Sequence, residues 1–420
     1  MGRAQPLFFS LLAALAVASV AVECNTYDAS LLEGDATNTP ARKNGVGWWS
    51  KKDGRGCFSA GIPKPEDRPS PRGDKDVGPI VLAVSSMRLG SLNEQGQIDK
   101  NAWQDLGFDL DGVCTASDTC PSDDPPPGCQ SPSSQLVRDG FHCRDNTFGR
   151  LEYSATAVTQ LAGTYGLSDD AFNCALCAGQ YNFLFRITGY NGEADDDRVR
   201  IDIYPSPGLE APLPLDCRDP GWKDKNLCFS ADMPWTVQDT SVAEPRGGPD
   251  LPPSKVFDDA AYVREGYVVT RLPGETLFWF PGYKAAFVSF PVRIQQGLVI
   301  GKLARGADRL WTISDGVIAG RVRREHLIEG FQLIGFCREN EPNNYGLMET
   351  FINENLDVLA DGRSDAKSAC DAMSLGLGFA ARQARAGKLE PVAPLEPCTR
   401  GPAVDGGADA GGVDAGPDGS

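Results

Sequence analysis

Histidine is scarce in this chain: His142 and His326 are the only two among 420 residues. A Ser-His-Asp hydrolase would need one of these positions, and neither lies near a recognisable nucleophile elbow or partner motif. A GxGxxG or P-loop pattern that could hold a nucleotide is also missing. The sequence therefore identifies no catalytic residue.

Basic charge is in short supply as well, with 40 Lys and Arg against 57 Asp and Glu and a formal net charge of −17. Nucleic acids and anionic membrane surfaces attract proteins with clustered Lys and Arg, so the composition argues against both as partners. Divalent cations are more natural companions for such a chain.

Long uncharged apolar runs are confined to the N-terminus. Residues 7–22 are apolar apart from two serines, and Arg3 precedes them, which predicts a signal peptide over residues 1–23. We therefore expect an exported protein, either extracellular or held at the outer membrane or cell surface as a lipoprotein.

Cys24 leaves two interpretations of this leader open. It stands where a bacterial lipoprotein places its acylated cysteine, and lipidation would leave an even twelve cysteines for pairing. Glu23 argues against lipidation, because a lipobox has a small residue there, and Ser19-Val20-Ala21 suits ordinary signal peptidase. A lipid anchor is the only membrane contact predicted.

Composition divides the rest of the chain into three parts. Residues 24–78 are rich in Gly, Pro, Asp and Lys and predict a mostly flexible tether, whereas residues 399–420 predict a disordered acidic tail. Residues 79–398 predict a β-rich body, with a subdivision considered near residues 205–260, where Pro and Gly are dense.

Short apolar runs separated by turn residues predict a mainly β fold. Period-two alternation over residues 182–187 and 198–203, around the turn at Asn191-Gly192, predicts a half-buried hairpin. Further strands are predicted at residues 80–89, 267–272, 276–280, 286–294, 298–303 and 317–322, and helices at 155–165, 324–334 and 347–359. The expected architecture is a disulfide-stapled sandwich or jelly-roll-like body with a few inserted helices.

Twelve cysteines besides Cys24 predict structural disulfides in an oxidising compartment. Local spacing favours three pairs, Cys217 with Cys228, Cys337 with Cys370 and Cys57 with Cys398. Six others allow 15 pairings, which spacing does not resolve: Cys114, Cys120, Cys129, Cys143, Cys174 and Cys177. The last two form a CxxC motif, for which structural bridging is favoured over redox or zinc chemistry.

Acidic clusters offer the only plausible ligand chemistry. A predicted hairpin loop gathers four carboxylates that a hard cation such as calcium would neutralise, although a solvated polar turn is the favoured interpretation: Glu193, Asp195, Asp196 and Asp197. Asp109-Leu-Asp111-Gly112 resembles the middle of an EF-hand loop, but position one would be Gly107 and the bidentate Glu is missing. We therefore reject an EF-hand there.

Four strings carry a resemblance: LGFDLDGVC (106–114), CRDNTFGRL (143–151), GYNGEADDDRVRIDIY (189–204) and CDAMSLGLGF (370–379). They resemble segments of large, cysteine-rich exported proteins of myxobacteria, a family with no known activity. The resemblance implies export and a shared fold across most of residues 57–398, and it supplies no catalytic residues.

The sequence thus predicts an exported, non-enzymatic binding or structural module, with a surface glycan or a protein as the kind of partner to expect. The first alternative is a secreted hydrolase that acts on polysaccharide through a carboxylate pair. A second alternative is a thiol-disulfide function at Cys174 and Cys177.

Overall fold

A computed structural model describes residues 47–52, 58–71, 75–115, 127–132, 137–158, 169–217, 219–225, 228–244, 251–281, 289–333, 337–338 and 342–392. Strands dominate this part of the chain, so the predicted mainly β class is confirmed. The strands are β1 Lys51–Lys52, β2 Phe58–Ser59, β3 Ile80–Arg88, β4 Cys129–Gln130, β5 Asn182–Thr188, β6 Asp196–Ser206, β7 Pro234–Gln238, β8 Val256–Arg264, β9 Tyr267–Arg271, β10 Glu275–Pro281, β11 Ser289–Arg305, β12 Trp311–Arg323, β13 Asp365–Ala369, β14 Ala372–Gln383 and β15 Arg385–Glu390. The helices are α1 Thr147–Val158, α2 Asp169–Ala178, α3 Arg324–Leu333 and α4 Pro342–Glu354.

Eight of these strands close into an antiparallel barrel in the order β11-β12-β14-β3-β5-β6-β8-β9, and β9 pairs back onto β11. The long strand β11 makes the closure possible. Its first part pairs with β10 and its later part with β9, so that β9 and β10 follow one another along the same edge.

The predicted sandwich or jelly roll is corrected by this closed ring. Alternating apolar residues tell which face of each strand is buried, but they are the same for two facing sheets and for one sheet that closes on itself. The closing pair joins Leu298–Lys302 to Tyr267–Arg271, and no local pattern in either segment specifies that partner.

One large apolar core fills the barrel. Inward residues of β5 pack there with ring contacts to β14 and β10: Phe185 lies against Phe379 of β14, and Phe183 against Phe278 of β10. Residues of α2, α3 and α4 extend the same core. The alternation of residues 182–187 and 198–203 is therefore explained by an inner apolar face.

Two smaller cores lie on the opposite, outward faces of the strands. Trp49 packs with Phe108, Leu298 and Ile300 in one of them. In the other, Trp235 and Val237 of β7 pack with outward residues of β3, β5 and β6. In both of these regions, segments outside the ring of strands cover the outer surface of the barrel.

Most predicted elements lie close to observed ones. The strands β3, β5, β6, β9, β10, β11 and β12 and helix α3 fall within one to a few residues of their predicted positions, except that β11 joins two predicted strands. The helix predicted at 347–359 is observed as α4, shifted toward the N-terminus. The helix predicted at 155–165 overlaps α1, Thr147–Val158, only at residues 155–158, and its remaining residues lie outside those described. Helix α2 and strands β8 and β14 had no predicted counterpart.

Four disulfides confirm the predicted covalent framework, although two predicted pairs are wrong. The bridges join Cys114 to Cys143, Cys129 to Cys370, Cys174 to Cys217, and Cys177 to Cys228. Cys217 and Cys228 therefore do not pair with each other, and Cys370 does not pair with Cys337, which is disulfide-bonded too. Spacing failed because α2 and the parallel pairing of β4 with β13 bring remote cysteines together.

The CxxC motif of α2 has both of its sulfurs bridged to cysteines more than 40 residues away. Several predictions fall on residues outside those described: the leader over 1–23, Cys24, Cys57, Cys120, Cys398 and the tail at 399–420. In the described part of the chain, every helix is too short or too polar to span a membrane.

Candidate metal centre

Asp109 and Asp111 lie on a loop that is fixed by its backbone. Asp109 donates its N–H to the carbonyl of Ala60 at 3.0 Å, and its Oδ1 accepts the N–H of Gly112 at 2.7 Å. The hydroxyl of Ser59, on β2, donates to Asp109 Oδ2. The loop bends at Gly112, whose φ of +76° suits glycine.

Asp145 reaches this loop from the segment before α1. Its N–H donates to the carbonyl of Phe108 at 2.9 Å, which pairs the two segments as an isolated antiparallel bridge. Just before it, His142 and Cys143 both adopt left-handed backbone, with φ of +57° and +60°. Such backbone costs energy in non-glycine residues, and the Cys114–Cys143 disulfide holds it in place.

The three carboxylates Asp109, Asp111 and Asp145 each bring one oxygen to within 4.8 Å of the other two. Calcium binds oxygen ligands at about 2.3–2.6 Å, so two ligands on opposite sides of the ion are roughly 5 Å apart. The spacing therefore suits a hard divalent cation lying between the three oxygens.

Two more aspartates, Asp139 and Asp357, lie in the same region. Burial, reinforced by the charges of Asp109 and Asp357, raises the pKa of Asp111 to about 7. Burial also raises the pKa of Asp139 and of Asp145 well above the usual range, again reinforced by the neighbouring carboxylates. Together these five side chains form what we call the aspartate cluster.

Besides Arg150 of α1, which is attracted to Asp357, Arg321 of β12 is a basic side chain that faces the cluster. It is only 2 % exposed, it is attracted to Asp145, Asp111 and Asp357, and one of its terminal nitrogens donates to the carbonyl of Leu110. Two guanidinium groups cannot balance five ionised carboxylates in a buried region. Protons or a bound cation must supply the remaining positive charge.

Hydrogen bonds occupy only part of the cluster's oxygens. Asp145 is 4 % exposed, and its Oδ2 accepts the N–H groups of Leu110 at 2.6 Å and Asp111 at 3.3 Å. Its Oδ1 accepts no hydrogen bond from the described residues. In Asp111, likewise, one oxygen has a hydrogen bond with the backbone: Oδ1 accepts the N–H of Val113 at 2.8 Å. A nearly buried carboxylate with one unpartnered oxygen beside two others is an arrangement that a cation would complete.

A cavity of about 10 Å³ adjoins the cluster and is lined by Thr115, Cys129, Asp139, Asp357 and Cys370 among others. That volume holds about one water-sized particle. Asp357 is held at its edge by Ser374, whose N–H donates to Oδ1 at 2.8 Å. Thr147 donates to Oδ2 at the same distance.

The predicted calcium loop at the β5–β6 turn has its carboxylates engaged with the chain itself. Glu193 pairs with Lys75 at 2.9 Å, Asp195 accepts the N–H of Glu265 at 2.8 Å, and Asp196 accepts the N–H of Asn191 at 2.7 Å. Calcium at Glu193, Asp195, Asp196 and Asp197 stays a prediction.

The sequence pointed to part of the cluster only. Asp109 and Asp111 stood out as an EF-hand-like string, but Asp139, Asp145 and Asp357 had no local signal. Asp145 joins the cluster through its backbone bridge to Phe108, and Asp357 lies in the turn that follows α4 and precedes β13. An EF-hand is excluded by the structure as well, because the three candidate ligands come from separate segments of the chain and not from one loop.

No family model, no curated protein and no solved structure matches the chain. The interpretation of the cluster therefore rests on its chemistry alone.

Proposed function

We propose that this protein is an exported binding or structural module whose aspartate cluster holds a divalent cation such as calcium. The convergence of Asp109, Asp111 and Asp145 within 4.8 Å is the observation that carries the proposal. A cation there joins the loop before Cys114 to the segment before α1 and fixes the outer layer that both belong to.

Export is the setting in which this proposal makes sense. Disulfides form and persist in oxidising compartments, and four link the described residues. Extracellular calcium modules work with dissociation constants of about 0.1–1 mM, which a partly hydrogen-bonded site can reach. The leader over residues 1–23 and the resemblance to exported myxobacterial proteins agree with this setting.

The polysaccharide hydrolase is the rival, and one observation favours it. Asp111, with a pKa of about 7, could act as a general acid beside the carboxylate of Asp109. The adjoining cavity of about 10 Å³, however, accepts a water or an ion and not a sugar ring. The geometry therefore supports the cation-holding module better.

Calorimetric titration of the purified, oxidised protein with CaCl₂ after treatment with a chelator tests the proposal. We expect saturable binding and a rise in the melting temperature with calcium. Asp145→Asn should weaken binding at least tenfold, whereas Asp224→Asn, at an exposed aspartate, should leave it unchanged.

Asp195→Asn separates the two acidic sites. If calcium binding is lost in this variant and retained in Asp145→Asn, the ion belongs to the β5–β6 turn and the proposed site is wrong. Saturable binding of a polysaccharide fragment with its hydrolysis, abolished by Asp111→Asn, would support the rival.

A further inference from the structure

We propose that two disulfides, Cys114–Cys143 and Cys129–Cys370, assemble the cation site, so that cation affinity is coupled to their oxidation. This inference rests on the proposed function. It adds a regulation of the same site, in which the protein acquires its cation only after the bridges have formed.

The first bridge connects the two segments that supply the three ligands. Cys114 follows Asp111 by three residues, and Cys143 precedes Asp145 by two. Asp139 lies inside the loop that this bridge closes, and its Oδ2 accepts the N–H of Thr115 at 2.6 Å. Opening the bridge frees the ligand segments to move apart, and the repulsion between carboxylates favours that movement.

The second bridge holds the opposite wall of the site. Cys129 and Cys370 both line the cavity, and Cys129 Sγ lies 3.2 Å from the carbonyl oxygen of Asp357. The preceding residue, Gly128, lies directly against Asp111: a Cβ placed on it would be 1.7 Å from Asp111 Oδ2. The Cys129–Cys370 bridge thus holds the backbone of this segment in contact with the carboxylate of Asp111, a candidate ligand.

Only short secondary structure supports that segment otherwise. Strand β4 has two residues and pairs with β13, with Cys370 N–H donating to the Gln130 carbonyl at 3.0 Å. Two-residue strands are marginal by themselves, so the covalent link is the main restraint on this wall.

Two other bridges between described cysteines provide an internal control. Cys174–Cys217 and Cys177–Cys228 attach α2 to the chain that follows β6. Three of their cysteines, Cys174, Cys177 and Cys217, pack with Leu215 and Trp222 in a small separate core. Cation binding should leave these two bridges unaffected.

The chemical step is ordinary thiol-disulfide exchange. A dithiol reductant donates two electrons and two protons to each bridge, the S–S bond breaks into two thiols, and the reductant becomes a cyclic disulfide. Thermodynamic linkage then requires that if oxidation strengthens cation binding by some factor, the cation raises the resistance to reduction by the same factor.

The test is a redox titration of the wild-type protein with a dithiol buffer at fixed pH, in saturating CaCl₂ and in chelator. Alkylation and peptide mass mapping report the reduced fraction of each bridge separately. We expect calcium to shift the equilibrium of Cys114–Cys143 and Cys129–Cys370 toward the disulfide by about tenfold or more, and that of the two control bridges by less than twofold.

Calorimetric titration of the bridge variants with CaCl₂ gives a second measurement. Cys129→Ser with Cys370→Ser should lower the calcium affinity by the factor seen in the redox titration, while Cys174→Ser with Cys217→Ser should not change it. If the first variant does not fold, the wild-type titration decides by itself.

The outcomes separate the two proposals. Oxidised wild-type protein that binds no calcium refutes the cation site and with it this inference. Oxidised protein that binds calcium while all four bridges respond equally, or not at all, overturns the redox coupling and leaves the cation site intact.

Discussion

At the residue scale, Gly128 lies so close to Asp111 that a side chain at this position would collide with the carboxylate. A Cβ there would overlap Asp111 Oδ2, so the position accepts glycine only while that carboxylate keeps its place. The close approach of backbone to carboxylate is part of what buries Asp111 and raises its pKa to about 7.

Gly128→Ala should therefore displace Asp111 and weaken calcium binding at least tenfold, with a smaller effect on the melting temperature of the calcium-free protein. Gly346→Ala is the matched control, since a Cβ on Gly346 in α4 meets no atom within 4 Å. Calorimetry on both variants checks the expectation. Equal affinities would show that Asp111 is not a ligand.

A pH dependence follows from Asp111 itself. Its pKa in the folded, calcium-free protein is about 7, above the ordinary value of 3.8, so the protonated form is favoured by folding. The stability that this provides is complete below about pH 4 and is lost as pH rises through 7. Urea unfolding in chelator should thus show a decline in the free energy of unfolding from pH 5 to pH 8, and a smaller decline in Asp111→Asn.

Bound calcium should reverse this decline in the free energy of unfolding with pH, because the ion replaces the protons on the carboxylates of the cluster. We expect the apparent calcium affinity to fall as pH is lowered from 8 to 5. An affinity that is flat over this range in the wild-type protein would mean that protons and calcium do not compete for these carboxylates.

At the scale of elements, the β1–β2 segment links an outer core to the site. Trp49 is 3 % exposed and has edge-on ring contacts with Phe108 and Tyr267. The following strand β2 contains Ser59, which donates to Asp109. The packing of one tryptophan therefore helps to position a ligand of the candidate metal centre.

Trp49→Ala should lower the free energy of unfolding by about 3–5 kcal/mol, the range for large aromatic truncations in cores, and should also weaken calcium binding. Ile98→Ala, at a side chain that is 77 % exposed, should do neither. Chemical denaturation and calorimetry on the two variants make the comparison. Unchanged calcium affinity in a folded Trp49→Ala protein would uncouple the segment from the site.

The same element scale shows what sequence can predict. The alternation in β5 and β6 specified both strands and their buried face, because the period of a strand is written in adjacent residues. Closure of β9 onto β11 and the pairing of Cys129 with Cys370 depend on contacts between residues far apart in the chain. The aspartate cluster has the same origin, so only its Asp109–Asp111 part carried a signal.

At the scale of the whole molecule, the four bridges between described cysteines differ most in the length of chain that they close. Cys129 and Cys370 are 241 residues apart, whereas Cys174 and Cys217 are 43 apart. In the chain-entropy account, a longer closed loop restricts the unfolded ensemble more strongly, which gives about 5.5 kcal/mol for the first bridge and about 4 kcal/mol for the second.

Replacing Cys129 and Cys370 by serine should accordingly destabilise the protein more than replacing Cys174 and Cys217, by about 1.5 kcal/mol from entropy alone. Urea unfolding of both double variants in chelator measures this difference without the contribution of a bound ion. A larger loss in the Cys174–Cys217 variant would mean that packing around α2 outweighs the entropy of the long loop.

The Cys129–Cys370 bridge also decides how the molecule would respond to tension. Of the eight barrel strands, β3 precedes Cys129 and β14 follows Cys370, while the other six lie in the chain between the two sulfurs. A pulling force applied at residues 47 and 392 would pass from β3 across the sulfurs to β14. The covalent path of the force would bypass the six enclosed strands. While the Cys129–Cys370 bridge stays oxidised, stretching could therefore extend only the chain outside that bridge.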